Sequence, residues 1–130
     1  MSPEQLNALA TANQHLSDAK AILSLGITHV AAREAYLAAF PAAEAFIESR
    51  TGRAVKTHSS LRSVLSRMAR DEPRIDPSFT QFLANAYDLK SLADYAAQPA
   101  LKISAEQADS TVQTADRLIA AIAGLLNQED

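Results

Sequence analysis

The stretch THVAAREAYLAAFPAAEAFIESRTG, residues Thr28–Gly52, decides the fold class of this chain. Eight of these twenty-five residues are alanine, the strongest helix former, so the stretch predicts a long helix from about His29 to Arg50. Gly52 is expected to end this helix, because glycine adopts left-handed backbone at a helix C-terminus without strain. Pro41 lies inside the stretch and removes one backbone hydrogen bond, which predicts a kink.

The same composition extends over the whole chain of 130 residues, which has 27 alanines and 3 glycines. Few glycines or β-branched runs oppose helix formation, so a single all-α domain over residues 1–130 is expected. Each alanine buries little area, and the core must therefore depend on a limited set of leucine, isoleucine and phenylalanine side chains. We expect a symmetric homodimer to complete the burial.

The absence of cysteine excludes a disulfide scaffold, a thiolate metal site and a cysteine nucleophile. No stretch approaches the roughly 18 uninterrupted apolar residues that a membrane span needs. The first twenty residues also lack the charged-then-apolar pattern of a signal peptide. The sequence therefore predicts a cytoplasmic protein without membrane association.

Capping residues mark the first helix and its connection to the second. Ser2, Pro3 and Gln5 predict an N-cap, a proline at the first helical position and the far half of a capping box. Gly26 is expected to end this helix, and Thr28 is expected to cap the next one. A heptad repeat suits a partner helix at a shallow crossing angle. The residues of that repeat are Leu9, Ala12, Leu16, Ala19 and Leu23.

Three more helices follow in the second half of the chain. The third is short, from about Ser59 to Arg70, the fourth follows a cap at Asp76-Pro77, and the fifth follows a second capping box that begins at Ser104. Their predicted buried stripes are Leu61, Val64, Leu65 and Met68; Phe79, Phe82, Leu83, Ala86, Leu89 and Ala93; and Val112, Ala115, Ile119, Ile122 and Leu126. Four long helices and one short helix predict an up-and-down helical bundle.

The formal charge of −3 is unevenly distributed along the chain. The basic segment, from Arg50 to Arg74, holds seven of the twelve basic residues and two acidic ones, so it carries +5 and the rest of the chain −8. Such a segment is typical of a solvated face, or of contact with nucleic-acid phosphates or an acidic protein surface. No aromatic residue is interleaved, which argues against stacking of single-stranded bases. The candidate contacts are Arg53, Arg62, Arg67 and Arg70.

No pattern in the sequence indicates catalysis, a metal or a cofactor. The three histidines lie in different predicted elements, without the spacing of three or four residues that places two ligands on one helical turn. Glu44 and Glu48 share a helix face, but a carboxylate pair with no histidine at ligand spacing is more typical of a solvated edge. The chain also lacks a glycine-rich phosphate loop and a serine nucleophile elbow.

Two polar clusters remain as candidate sites. In Lys56-Thr57-His58-Ser59, a helix cap at Thr57 or Ser59 and a surface histidine are enough to explain the residues. The second cluster lies on the fourth helix at spacings of three and four residues, and it consists of Tyr87, Lys90, Ser91, Asp94 and Tyr95. An exposed Lys90–Asp94 pair stabilises a helix by only about 0.3–0.5 kcal/mol, so the neighbouring Tyr95 favours an interaction surface.

Three short motifs carry a family resemblance. Ala35-Tyr36-Leu37-Ala38-Ala39-Phe40 is followed by Lys56-Thr57-His58-Ser59, and Ile75-Asp76-Pro77 leads through Leu89-Lys90 to Ala93-Asp94-Tyr95. In this order, over about residues 28 to 126, they resemble small stand-alone members of the HEPN superfamily, which are often encoded beside a minimal nucleotidyltransferase. The resemblance implies a helical fold and a nucleotidyltransferase-type partner protein.

The chain departs from the nuclease members of that superfamily at one place. Those members carry an arginine followed after four to six residues by a histidine near the end of the matching helix, and their dimer cuts RNA without metal. This sequence has Lys90, four residues and then Tyr95 there. Lysine lacks the forked donors of arginine, and a tyrosine with a pKa near 10 is a poor general base at pH 7. We interpret the spacing of Arg53 and His58, which precede the third helix, as a coincidence.

The leading hypothesis is a non-catalytic HEPN-like binding module, a homodimer that pairs with a nucleotidyltransferase-type protein in a toxin–antitoxin-like system. Its expected binding surface consists of Tyr36, Lys56, His58, Ser59, Tyr87, Lys90, Asp94 and Tyr95. One alternative is an RNA-binding protein or weak metal-independent ribonuclease of the same fold, with contacts from Arg53, Lys56, Arg62, Arg67 and Arg70. The other alternative is a structural bundle without a ligand.

Overall fold

The computed structural model describes residues 1–94 and 103–128, and it describes side chains for all of these except residues 92–94. In this part the chain forms helices only: α1 (Pro3–Ser24), α2 (Thr28–Thr51), α3 (His58–Ala69), α4 (Ser78–Asp94) and α5 (Ala105–Gln128). The predicted all-α bundle of four long helices and one short helix is confirmed. None of the described helices is long and apolar enough to cross a membrane.

The predicted caps set most of the helix ends. At α1, the Gln5 amide donates to the Ser2 hydroxyl and the Ser2 amide donates to the Gln5 side chain, both at 3.1 Å. Ser104 and Gln107 form the same reciprocal pair at 3.0 Å before α5. Gly52 follows α2 with a φ of 72°, the left-handed conformation that favours glycine. These three ends are confirmed.

The prediction that Thr28 caps α2 is wrong. Ile27 occupies the N-cap position without a side-chain hydrogen bond, and Thr28 is the first residue of the helix. The Thr28 hydroxyl donates instead to the carbonyl of Ile103 at 2.6 Å, because that carbonyl lies across the bundle just before α5. The helix continues through Pro41 to Thr51, and the kink at Pro41 stays a prediction.

Two pairs of consecutive long helices are antiparallel, α1 with α2 and α4 with α5. The turn of residues 25–27 between α1 and α2 is short enough to make these two helices antiparallel neighbours. On α4, Leu89 near the end shares a groove with Gln107 near the start of α5. Ser78 at the start of α4 shares a groove with Arg117 farther along α5, so α4 and α5 are also antiparallel.

The direction of α5 relative to α2 follows from contacts at both ends. The hydrogen bond from the Thr28 hydroxyl to the Ile103 carbonyl joins the start of α2 to the start of α5. At the other end, Arg50 lies 3.7 Å from Glu72, which binds Arg74 at 2.9 Å, and Arg74 contacts the last residue of α5. The helices α2 and α5 are therefore parallel, while α1 and α4 run in the opposite direction.

The short helix α3 lies in the connection between α2 and α4. Its first residue, His58, contacts Tyr36 in the middle of α2 and Tyr87 in the second half of α4. Arg67, near its end, shares a groove with Thr80 near the start of α4. Thus α3 and α4 are antiparallel and form one continuous surface, which we call the α3–α4 seam.

The core is centred on α2, which packs against all four other helices. All eight alanines of α2 are buried, so the neighbouring helices approach its backbone closely. Larger side chains from the other helices fill the remaining volume, and no polar residue is buried among the described residues. The predicted stripe residues found buried are Leu61, Leu65, Phe79, Phe82, Leu83, Ala86, Val112, Ala115, Ile119, Ile122 and Leu126. Leu89 is half-buried, and the Ala93 side chain lies outside the described residues.

Candidate functional site

Three side chains from three helices meet at one end of the α3–α4 seam. The Tyr36 hydroxyl lies 3.2 Å from Nδ1 of His58, and the His58 ring stacks on Tyr87 with 4.0 Å between centroids and 16° between planes. Tyr36 and Tyr87 make an edge-to-face contact at 5.6 Å. We call these three residues the aromatic–imidazole cluster.

The three members of the cluster differ in exposure. Tyr36 is 6% exposed, His58 is half-buried and Tyr87 is 38% exposed, so the cluster extends from the core to the surface. Phe40, one helical turn after Tyr36, packs against the Tyr36 ring with 5.8 Å between centroids. Packing on both sides of Tyr36 fixes its ring, and through it the position of the cluster.

The pKa shifts of Tyr36 and His58 both favour the neutral forms of these side chains. Burial raises the pKa of the Tyr36 phenol to about 12, with smaller contributions from Tyr87 and Glu44. Burial and the nearby Arg62 guanidinium lower the pKa of His58, against a smaller opposite effect from Asp88. With a neutral imidazole protonated at Nε2, the phenol donates its hydrogen bond to Nδ1.

The cluster is suited to contact with another protein surface. Its most exposed member is Tyr87, whose ring stacks on the His58 imidazole. A tyrosine with a fixed ring and a free polar end provides a large contact area at low entropic cost, which is the common use of tyrosine at protein interfaces. No group of three or more potential metal ligands occurs in the described part of the chain.

Part of the predicted binding surface lies around this cluster. Lys56 and Ser59 are exposed beside His58, and Lys90 is half-buried one turn after Tyr87. The side chain of Asp94, and Tyr95 as a whole, lie outside the described residues. The interpretation of His58 as a plain surface histidine is wrong, because its ring packs between residues of α2 and α4.

The basic segment divides into a paired part and an unpaired part. The guanidinium groups of Arg50 and Arg74 both form ion pairs with the Glu72 carboxylate, so these two arginines are engaged within the protein. The other five basic side chains are exposed and have no hydrogen bond or ion pair from the side chain to any described residue; they are Arg53, Lys56, Arg62, Arg67 and Arg70. Within the part of the chain that the structure describes, the predicted contact residues are therefore not engaged by other side chains.

Sequence reasoning missed one polar link that joins α1 to α2. Nδ1 of His15 lies 2.6 Å from Oε2 of Glu34, and the Glu34 side chain is largely buried. The two residues are separated by 19 positions and belong to no spacing pattern, so only the packing of α1 on α2 brings them together. Phe40 was also not selected, although its position one turn after Tyr36 was visible in the sequence.

Comparison with known proteins agrees with the fold and with the motifs. The family model described as HEPN domain matches residues 7–125, which is nearly the whole chain. No curated protein matches the chain significantly. The match spans all five helices and includes the aromatic–imidazole cluster. The chain belongs to the HEPN domain family.

Proposed function

We propose that this HEPN-domain chain is a non-catalytic binding module, a homodimer whose partner is a nucleotidyltransferase-type protein in a toxin–antitoxin-like pair. The observation that carries the proposal is the aromatic–imidazole cluster, which holds Tyr87 at the surface of the α3–α4 seam. The family membership supports the choice of partner, because short stand-alone members of the superfamily are often encoded beside such a protein.

The geometry of the cluster supports binding to a folded protein surface. Tyr87 is one of four large apolar or aromatic side chains in the described residues that are exposed, and it alone among them stacks on another ring. Its stacking on His58 and its edge contact with Tyr36 fix its conformation before a partner arrives. A side chain fixed in this way loses less entropy on binding than a mobile one.

The absence of catalysis is supported by the residues that replace the ribonuclease pair of the superfamily. Lys90 and Tyr95 stand where nuclease members have arginine and histidine. His58 belongs to a different element, at the start of α3, and its Nδ1 is engaged by the Tyr36 hydroxyl. An imidazole held by a hydrogen bond and by ring stacking is suited to packing against a partner.

The homodimer is supported by composition and by surface exposure. Alanine-lined helices bury little area per residue, and an interface between two copies adds to it. Leu25 and Ile27, at the turn between α1 and α2, are 73% and 41% exposed. Light scattering at micromolar concentration should give twice the chain mass, and a monomer mass would contradict this part of the proposal.

The partner is tested by searching the genes beside this one for a nucleotidyltransferase-type protein, co-expressing the two proteins and measuring the Kd by calorimetry. A genome without such a gene nearby would contradict the proposal. We expect Tyr87→Ala and His58→Ala to weaken the Kd at least tenfold, because central aromatic contacts commonly contribute this much to an interface. Gln113→Ala, an exposed residue on α5, is the matched control and should leave the Kd unchanged. A partner that fails to co-purify, or one that binds both cluster variants normally, would contradict the proposal.

A further inference from the structure

A concave surface lies farther along the α3–α4 seam, about two helical turns along α4 from Tyr87. It opens to solvent and encloses about 580 Å³. The residues that line it are Arg62, Ser63, Ser66, Arg67 and Thr80. Four of these come from α3 and one from α4, so the groove exists because the two helices pack side by side. It has no aromatic and no acidic lining residue.

Every side chain of this groove is a hydrogen-bond donor without a partner among the described residues. Arg62 and Arg67 form no hydrogen bond or ion pair there, and neither do the three hydroxyls. Several other hydroxyls and arginines among the described residues do have partners within the protein. Thr111 and Thr114 on α5 donate to backbone carbonyls one turn earlier, at 2.7 and 2.8 Å, and Glu72 binds arginines.

The groove therefore combines positive charge with a set of free donors. Arg62 and Arg67 are five residues apart, which places their backbone positions about 7.5 Å apart along the helix axis. Guanidinium groups bind oxyanions through charge-assisted, often bidentate hydrogen bonds, and hydroxyls complete such sites. Without an aromatic side chain, the groove has no surface on which a base would stack.

We propose that this α3–α4 groove binds a phosphate oxyanion, with Arg62 and Arg67 neutralising its charge and the hydroxyls of Ser63, Ser66 and Thr80 donating to its oxygens. This site is separate from the aromatic–imidazole cluster, and the inference does not depend on the partner protein proposed above. Free phosphate or a phosphate monoester, and the phosphodiester of a nucleic-acid strand, present the same oxygens to these donors.

The two sources are distinguished by titrating the ¹⁵N-labelled protein with inorganic phosphate and, separately, with a short single-stranded oligonucleotide. Both titrations are recorded at constant ionic strength, with sodium chloride alone as the blank. We expect saturating amide shifts confined to residues 62–67 and 80. R62Q and R67Q should each weaken the Kd at least tenfold, and T80V, which keeps the side-chain shape but removes the hydroxyl, about two- to tenfold.

Arg117→Gln is the matched control, since it removes one exposed positive charge from α5, outside the groove and outside the basic segment. It should change the Kd less than twofold. Saturation by phosphate alone supports a free phosphate or monoester ligand, and saturation by the oligonucleotide alone supports a phosphodiester. The proposal is overturned if neither probe gives shifts above the blank, or if R117Q weakens binding as much as R62Q. Because R67Q and T80V leave Tyr36, His58, Tyr87 and the Arg62 charge beside His58 unchanged, failure here is separable from failure of partner binding.

Discussion

The three-helix part formed by α1, α2 and α5 differs from the groove of the α3–α4 seam in the pairing of its polar side chains. In the three-helix part, polar side chains that bridge helices pair with each other, as His15 does with Glu34 and Lys20 with Asp116. Along the α3–α4 seam, the donors of the groove have no partner among the described residues. Paired groups contribute to the fold, whereas the unpaired donors of the groove are the basis of the proposed oxyanion site.

The largest expected effect comes from truncating a large core side chain of α2. Phe46 of α2 is fully buried, and the Arg50 guanidinium lies 5.0 Å above its ring. Phe46→Ala should lower the free energy of unfolding by about 3–5 kcal/mol, through lost burial and the cavity left behind. Urea denaturation followed by circular dichroism measures this change. Tyr87→Ala, on the seam, is the comparison and should cost about 1 kcal/mol. Equal losses for the two variants would contradict the division into two parts.

A smaller effect tests whether the alanines of α2 are required as small residues. Ala39 has no exposed surface, so Ala39→Leu forces extra volume into a filled core. Overpacking of this kind should lower the free energy of unfolding by about 1–3 kcal/mol. Ala10→Leu, at an exposed position of α1, is the matched control and should change it by less than about 0.5 kcal/mol. A neutral Ala39→Leu would show that the helices around α2 have room to move apart.

Tyr36 connects the two parts, because its ring is buried in the core and its hydroxyl reaches the seam. Tyr36→Phe keeps the ring packing on Phe40 and removes only the hydrogen bond to His58. The free energy of unfolding should fall by about 1 kcal/mol. The His58 ring resonances should also shift, since the imidazole loses its partner at Nδ1. A loss as large as that of Phe46→Ala would mean that the phenol has a role in the core beyond this bond.

Sequence reasoning succeeded where neighbouring residues decide the structure. Both capping boxes lie within four residues, and the alanines of α2 indicate by themselves a face that neighbouring helices approach closely. It failed where the partner lies far along the chain. Thr28 was expected to cap its own helix, but its acceptor is 75 residues away.

The candidate site shows the same limit. His58 and Tyr87 could each be selected as polar residues near a helix, but their separation of 29 residues gave no sign that their rings stack. The polar face of α3 showed Arg62, Ser66 and Arg67 together, whereas Thr80 joins them only because α4 packs antiparallel to α3. Packing between helices, which no local pattern encodes, assembled both the cluster and the groove.

The smallest expected effect is a pH dependence that belongs to the seam. The pKa of His58 is lowered from its ordinary value of 6.5 by burial and by Arg62, against the opposite effect of Asp88. Between the folded pKa and 6.5 the unfolded chain binds more protons than the folded one, so the free energy of unfolding falls as the pH falls through this window. Above pH 6.5 the imidazole is neutral in both states, and below the folded pKa the loss is complete.

Unfolding by urea at pH 7.5, 6.5 and 5.5 measures this dependence, and the ring resonances of His58 give its folded pKa directly. In His58→Gln the free energy of unfolding should depend less on pH over this window. In Arg62→Gln the pKa of His58 should move back toward 6.5, since the guanidinium one turn away is its second cause. If His58→Gln keeps the full pH dependence of the free energy of unfolding, another titrating group causes it. That result would contradict the assignment to His58. Because the same ring supports Tyr87, partner binding should weaken over the pH range in which His58 becomes protonated.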